Sequence, residues 1–425
     1  MTTLTLDEQV ALLMQGTEYG DDQLKTAMAN ELRERLQEGR PLRVYCGFDP
    51  RTPDLHVGHT IPMRKLRQFQ ELGHEVTFLV GTGTSMVGDP SDKSEVRATL
   101  NLEEAERNGR TYAEQAFVIL DREKTKIRFN HEWLLDLKLA DLIKLGSVFT
   151  VQQFIQRENF KLRWEKGDPV FLHETFYTLM QGYDAVAMNT DVQVGGSDQL
   201  FNIVTAGRKL QEAYGQRPQI GIIMGILPGT DGEVKMSKSL GNHIPILAEP
   251  ADMYGKVMSL PDSAMPIFWR LATRYLPSQI KAIEDALAAN MRHPRDVKME
   301  LAREIVSIFR SDVAAAEAEE QFKRVFQERE LPQDMPELAL ANPTNVVDLL
   351  RQADLVTSGS AAWRLVEQNG VRLDGETVTS VRTIVQNDVP HVLQVGKRKF
   401  VRLVPVQSPD TSPPPQIGDE KEGQG

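Results

Sequence analysis

The chain has 425 residues, 40% hydrophobic and 26% charged; at about 150 residues per domain this is room for two to four ordinary globular domains. A net charge of −11 argues against a surface uniformly devoted to nucleic acid, and nothing approaches the run of roughly 18 apolar residues that a membrane span needs. The single cysteine, Cys46, excludes an intrachain disulfide and fits a reducing, cytoplasmic compartment.

The N-terminal segment reads as a capped amphipathic helix, with Thr5 and Glu8 at capping-box spacing ahead of Val10, Leu12, Leu13 and Met14; it lacks the basic start and apolar run of a secretory signal. Residues 43–48, RVYCGF, read as a short buried strand, followed by a proline-containing loop, a helix over about 56–72 that stops at Gly73, and a second strand at 75–80. That is a βαβ unit, which predicts a parallel sheet. Residues 81–93 then form a glycine-containing loop at the carboxyl end of a strand, where open α/β sheets collect ligands. Helical patterns dominate 102–215, with a short strand at 191–195 and an apolar one at 220–227. Residues 251–328 are helical again, and the proline- and acid-rich stretch 331–344 reads as a linker. Residues 345–405 read as a small α+β unit with helices near 346–352 and 360–368 and strands near 370–373 and 399–403. Residues 342–406 carry eight Lys/Arg against six Asp/Glu, a mildly basic module on an acidic body, and the tail from 406 to 425 should be disordered.

Two motifs carry chemistry. His56-Val57-Gly58-His59 opens the helix after the first strand. Two imidazoles three residues apart share a face at a helix N-terminus, where unpaired N–H groups favour an anion, and Gly58 allows close approach to the backbone. Taken alone, a phosphate site, a metal pair and a surface coincidence all remain open. No acidic or cysteine cluster nearby completes a metal site, and no protein-held metal is expected. Lys235-Met236-Ser237-Lys238-Ser239 lies between Pro228-Gly229 and Gly241; two ammonium groups with hydroxyls between them suit a triphosphate gripped by a mobile loop, and a solvated basic loop is the alternative.

Taken together, in this order and setting, the two motifs resemble the HIGH and KMSKS signatures of the class I aminoacyl-tRNA synthetases, with Val57 in place of isoleucine. The resemblance narrows to the tyrosyl branch, of the bacterial type with a C-terminal S4 module. Tyr45-Cys46-Gly47-Phe48-Asp49-Pro50, Gly88-Asp89-Pro90-Ser91, the Y-x-x-x-Q-x-x-D pattern from Tyr177 to Asp184, and Gly195-Gly196-Ser197-Asp198-Gln199 are similar to its substrate-binding segments. Spacings of four and three put Tyr177, Gln181 and Asp184 on one helical face, and a carboxylate among Tyr183, Ala185, Val186 and Ala187 needs a partner. Residues 358–376, with an Asp374-Gly375 turn, resemble the S4 RNA-binding fold, although Arg364 is the only basic residue of its helix.

The resemblance implies a Rossmann-like α/β catalytic domain with a parallel sheet over 1–250, interrupted by a helical insertion at about 130–190. A helical domain at 251–330 and the S4-like domain at 345–405 would follow. It implies ATP with Mg²⁺, tyrosine and tRNA(Tyr) as ligands, and a homodimer formed through apolar helices around 134–160. It assigns His56, His59, Lys235 and Lys238 to catalysis, and Gly58, Gly196, Asp198, Met236 and Ser237, with Lys238, to ATP. Tyr45 and Asp184 would hold the phenol hydroxyl, Asp89, Tyr177 and Gln181 the ammonium, and Gln199 would lie beside the amino acid. Arg364, Lys397, Arg398 and Lys399 are the candidate RNA contacts. Many bacterial tyrosyl enzymes carry KFGKT-like loops and a threonine after F-D-P, where this chain has KMSKS and Arg51. A tryptophanyl enzyme and a non-catalytic RNA-binding paralogue are the rival readings. The first would not need the Asp184–Tyr45 trap; the second would be expected to lose the signature histidines or lysines.

Overall fold

The computed structural model describes residues 4–50, 55–90, 100–326, 335–396 and 399–406. The chain folds as two compact units, Met1–Phe322 and Lys323–Gly425.

The first unit is built on five short strands, β1 (Arg43–Phe48), β2 (Glu75–Val80), β3 (Thr125–Phe129), β4 (Val192–Gly196) and β5 (Ile220–Met224). They form one sheet in the order β3-β2-β1-β4-β5, with every neighbouring pair parallel. Parallel strands require crossovers, and crossover helices cover the faces, so the central strands are apolar on both sides. The first four residues of β4 are buried, and β5, IGIIM, is buried throughout although it ends the sheet order. The chain builds outward from β1 to β2 and β3, then returns to the other side of β1 to lay down β4 and β5. Connections leaving β1 and β4 therefore part company at their carboxyl ends, and a crevice opens between them.

At the amino ends the same two strands are tied together. Asp191, the residue before β4, accepts hydrogen bonds from Arg35 at 2.5 Å, Arg40 at 2.9 Å and the Arg43 backbone at 2.9 Å, while its own N–H donates to the Arg43 carbonyl. Burial alone would raise this carboxyl, but the hydrogen bonds from Arg40 and Arg43 overcome that and hold it well below the usual carboxylate range. Arg35, itself buried, adds the helix Asp22–Gln37 to the junction.

The capping box at Thr5 and Glu8 starts the helix Leu6–Met14 as its sequence requires. The turn Val57–His59 leads into the helix Thr60–Glu71, which buries Ile61, Met63, Leu66 and Phe69 against the sheet. From this helix Lys65 donates to the Leu12 carbonyl and fastens the N-terminal helix. β3 lies inside the stretch that sequence patterns assign to helices. It is an edge strand, TKIRF, whose Lys126 and Arg128 reach solvent and pair with Glu75 and Glu132, so it lacks the apolar run of the central strands. The stretch 136–163, periodic in sequence, is broken into Leu139–Gly146, Val151–Ile155 and a third helix starting at Glu158. Helices Pro250–Met258, Met265–Ala272, Pro277–Ala288, Pro294–Phe309 and Asp312–Phe326 follow, and Tyr254, Phe268, Trp269 and Ile305 join the main core. No helix among the described residues is long and apolar enough to cross a membrane.

The second unit contains β6 (Glu337–Leu340), β7 (Thr344–Asn345), β8 (Val371–Leu373), β9 (Glu376–Thr377), β10 (Ile384–Val385), β11 (His391–Val395) and β12 (Lys399–Pro405), with helices Val346–Gln352 and Gly359–Glu367. The main sheet runs β6-β12-β11-β8-β9, with β7 and β10 paired separately. Residues 337–340 fall in the stretch read as linker, yet they form β6, parallel to β12 and with Leu340 buried. Their apolar alternation, ELAL, is short enough to be masked by the neighbouring prolines. The tail read as disordered, 407–425, lies outside the described residues.

Removing Asp191 leaves the buried Arg35 without its carboxylate, so Asp191→Ala should lower the unfolding free energy by about 3–5 kcal/mol, measured by urea denaturation at pH 7. Because the folded carboxyl titrates below its unfolded value, the stabilisation is complete above about pH 4 and is lost as pH falls further. The variant should therefore show a weaker loss of stability on acidification.

Candidate functional site

The crevice at the carboxyl ends of β1 and β4 is a cavity of about 620 Å³, within the usual range for small-molecule sites. It is lined by the end of β1, the His56–His59 turn, the loop after β2, Tyr112, Asn130 after β3, the helix Leu172–Ala187, the turn after β4 and the end of β5, and is closed by residues 234–237.

One end of the cavity is dominated by a buried carboxyl group. Asp184 is 2% exposed and accepts from the Trp133 indole at 2.8 Å and the Asn130 amide at 3.2 Å. Burial pushes its pKa up to about 8 against the downward pull of those two donors, so it changes charge near neutrality. Tyr45 lies fully buried in the same region, its phenol held well above its ordinary range by burial and then by the Asp184 charge. The Tyr45 hydroxyl has no hydrogen-bond partner among the described residues. A buried hydroxyl beside a buried carboxyl group, both lining one cavity, is an arrangement that a ligand hydroxyl would complete.

Further along, Gln199 donates to Asp89 at 2.9 Å and to Asp198 at 3.2 Å. Tyr177 donates to Asp49 at 3.1 Å, and Thr84 donates to the other Asp49 oxygen at 2.9 Å. Several carboxylates thus face one small volume, which favours a cationic group. Gly196 makes room for one of them: a Cβ there would stand 2.5 Å from an Asp198 oxygen.

At the other end, His56 and His59 stack with ring centroids 3.7 Å apart. The His56 backbone N–H donates to His59 Nδ1 at 3.3 Å, which leaves the His59 proton on Nε2. Burial lowers His56 to about 3 and His59 to about 4, helped by Lys235 and His243. Both rings are therefore neutral donors at neutral pH. Gly58 is needed for this packing, since a Cβ would meet the His56 ring at 3.1 Å. Lys235, Met236 and Ser237 line the cavity, whereas Lys238 is exposed beyond its lining. Met236 is buried in the core, its N–H donating to the Leu227 carbonyl, and so anchors the loop. Asn242 braces the loop from inside by accepting from the Ser237 N–H at 2.8 Å and donating to Asp231.

The structure thus gathers Tyr45, His56, Gly58, His59, Asp89, Tyr177, Gln181, Asp184, Gly196, Asp198, Gln199, Lys235, Met236 and Ser237 around one cavity. In the second unit, Arg364 sits on the helix Gly359–Glu367, and Lys399 opens β12, where its ammonium donates to the Leu355 carbonyl. Lys397 and Arg398, like Arg51 and Ser91, lie outside the described residues. Among the described residues no group of three or more His, Cys, Asp or Glu is placed to hold a metal. Sequence reasoning missed Asn130, Trp133, Asn242 and a role for Asp49. Asn130 follows β3, and an unrecognised strand hides the residues at its carboxyl end. Had the edge strand been read, that position alone would have marked them as candidates.

Comparisons with known proteins give the family and the fold. Residues 37–327 match the family described as tRNA synthetases class I (W and Y). The chain is 48% identical over 374 residues to the tyrosine–tRNA ligase of Moorella thermoacetica, covering 88% of this chain and 90% of that protein. It is 44% identical over 400 residues to the tyrosine–tRNA ligase of Thermotoga maritima, covering 94% and 98% respectively. In fold it is similar to a C-terminally truncated mitochondrial tyrosyl-tRNA synthetase of Aspergillus nidulans, with a TM-score of 0.59 at 22% identity over 76% of this chain and 94% of that one.

The Trp133 donor lowers the Asp184 pKa, so Trp133→Phe should raise it above its value of about 8. Carboxyl-carbon NMR titration of aspartate-labelled protein, with Asp184→Asn to assign the resonance, measures this directly. An unchanged titration would remove Trp133 from the electrostatics of the site.

Proposed function

Because the chain belongs to the class I tRNA synthetases for tryptophan and tyrosine, and within them to the tyrosine–tRNA ligases, we propose that the cavity performs its two steps through the residues just described. The reaction activates tyrosine with ATP to tyrosyl-adenylate and pyrophosphate, then transfers the tyrosine to the 3′ end of tRNA(Tyr). Asp184 and Tyr45 hold the phenol hydroxyl. The single observation that carries this assignment is the buried Asp184 carboxyl group beside the unpartnered Tyr45 hydroxyl. Asp89, with Tyr177 and Gln181, takes the ammonium; Gln199 borders it, and Gly196 and Asp198 meet the ribose.

The tyrosine carboxylate is already an anion, so the first step needs no general base. It attacks the α-phosphate in line, and catalysis rests on position and charge. His56 and His59, neutral but with N–H groups, donate to the phosphates as charge builds. Lys235 and Lys238 close over the departing pyrophosphate, with Met236 and Ser237 as the fixed root of their loop. Mg²⁺ would accompany the triphosphate and offset its charge; no group of three or more His, Cys, Asp or Glu among the described residues is placed to hold the ion itself.

The second unit, with Arg364, Lys397, Arg398 and Lys399, is proposed to bind tRNA; the excess of Lys/Arg over Asp/Glu within its residues 342–406, in a chain that is acidic as a whole, supports this. A homodimer is supported by apolar side chains left in solvent: Leu139, Ile143, Val151, Trp164 and Leu172 are each more than 60% exposed. The single buried cysteine supports a cytoplasmic setting.

ATP–pyrophosphate exchange tests the hydroxyl trap. Phenylalanine would leave the buried Tyr45 hydroxyl without a partner and Asp184 with only its Trp133 and Asn130 donors, so Asp184→Ala should cut kcat/KM for tyrosine roughly 10- to 100-fold more than for phenylalanine. Equal losses would mean the hydroxyl is read elsewhere. For the loop, Lys238→Ala should slow adenylate formation by roughly 10²- to 10³-fold in stopped flow. Tyrosine binding should stay unchanged, because the lysine acts on the transition state.

A further inference from the structure

A chain of buried hydrogen bonds runs from the helical insertion into the amino-acid end of the cavity. Arg157 lies between the helices Val151–Ile155 and Glu158–Lys166 and is 6% exposed, its guanidinium 5.2 Å from the ring centroids of both Phe160 and Phe201. It donates to the Thr178 hydroxyl at 2.6 Å. Thr178 donates to the Asn202 carbonyl oxygen at 3.0 Å, and the Asn202 amide donates to the Gln199 carbonyl oxygen at 3.0 Å. Gln199 in turn donates to Asp89 at 2.9 Å. Thr178 and Asn202 are both fully buried. Asn202 reaches its partners from a wide π-helical turn, Phe201–Gly207, of the kind that recurs at functional sites. The same segment touches the neighbouring loop directly, through Asn159 donating to the Pro90 carbonyl.

A guanidinium only donates, so Arg157 takes one of the two lone pairs of the Thr178 hydroxyl, and the hydroxyl proton goes to the Asn202 carbonyl oxygen. With that oxygen engaged, the Asn202 NH₂ meets the Gln199 carbonyl oxygen. Gln199 is left with its NH₂ toward Asp89 and Asp198. A reversed Gln199 would instead turn a carbonyl oxygen on two carboxylates.

We infer that Arg157 is a positioning residue for substrate recognition: through Thr178 and Asn202 it fixes the orientation of the Gln199 amide and so presents Asp89 to the tyrosine ammonium. The inference rests on the proposed role of Asp89 and extends it to residues in the helical insertion that do not line the cavity.

Thr178→Val keeps the shape of the side chain and cuts the chain at its second link. It should raise KM for tyrosine roughly tenfold in pyrophosphate exchange, the scale of one or two net hydrogen bonds, and leave KM for ATP unchanged. Inhibition by 3-(4-hydroxyphenyl)propionate, which is tyrosine without its amino group, should be unaffected, and Thr178→Ser should restore the wild-type KM. Arg157→Met should reproduce the Thr178→Val pattern by a change of different shape. Equal weakening of tyrosine and of the des-amino analogue would overturn the inference, because it would mark a general loss of structure. So would a wild-type tyrosine KM in Thr178→Val alongside a raised one in Asp89→Asn. A wild-type tyrosine KM in Asp89→Asn itself would instead overturn the reading of Asp89 as the ammonium acceptor, and the inference with it.

Discussion

The architecture of the first unit depends on how β1 and β4 are joined. At their amino ends Asp191 binds Arg43 of one strand directly, together with Arg35 and Arg40, with Asp191 and Arg35 buried beneath the half-exposed Arg40 and Arg43. At their carboxyl ends the connections diverge, because the sheet order reverses between these strands. A rigid join at one end and a gap at the other fix the spacing across which a ligand must fit. Tyr45 in β1 and the turn after β4 with Asp198 and Gln199 stand on the two sides of that gap, so their separation is inherited from the sheet.

The electrostatics differ along the cavity in a way that suits the two ligands. Burial raises the Asp184 carboxyl and lowers the imidazoles of His56 and His59, so the deepest groups at both ends are close to neutral at pH 7. Under the proposed assignment, neutral donors at the histidine end would respond to charge that develops during reaction without a large change in hydration. The fixed positive charge is placed on a surface loop, where Lys235 and Lys238 are exposed. Asn242 and Met236 hold the root of that loop while its lysine-bearing part faces solvent.

The helical insertion contributes more than an outer wall. Trp133 and Asn130 reach the buried carboxyl group at one end of the amino-acid pocket, and Asn159 and Arg157 reach the Asp89 loop and Thr178 at the other. If amino-acid recognition lies where proposed, it is coupled to the packing of short helices that carry exposed Leu139, Ile143 and Val151. Covering those faces in a dimer would restrain the same helices that shape the site.

The sequence by itself determined the local elements whose signals are self-contained. These are the Thr5–Glu8 capping box, the buried runs at β1, β2 and β5, the face shared by Tyr177, Gln181 and Asp184, and the two signature motifs that place the chain among the class I synthetases. Short-range periodicity and the spacing of charged and aromatic residues carry that information. The sequence did not reveal β3, whose alternating charges serve an edge position, or β6, whose strand exists only because β12 pairs with it. Nor did it reveal Trp133 and Asn130 as partners of Asp184, or the hydrogen bonds of Arg157 and Asn202. Each lies far along the chain from at least one group it hydrogen-bonds, and nothing in its immediate neighbours distinguishes it from a packing residue. Only the tertiary structure decided those partnerships, because the direction and distance of a buried hydrogen bond are set by how separate elements pack, and that is not written in the spacing of any one of them.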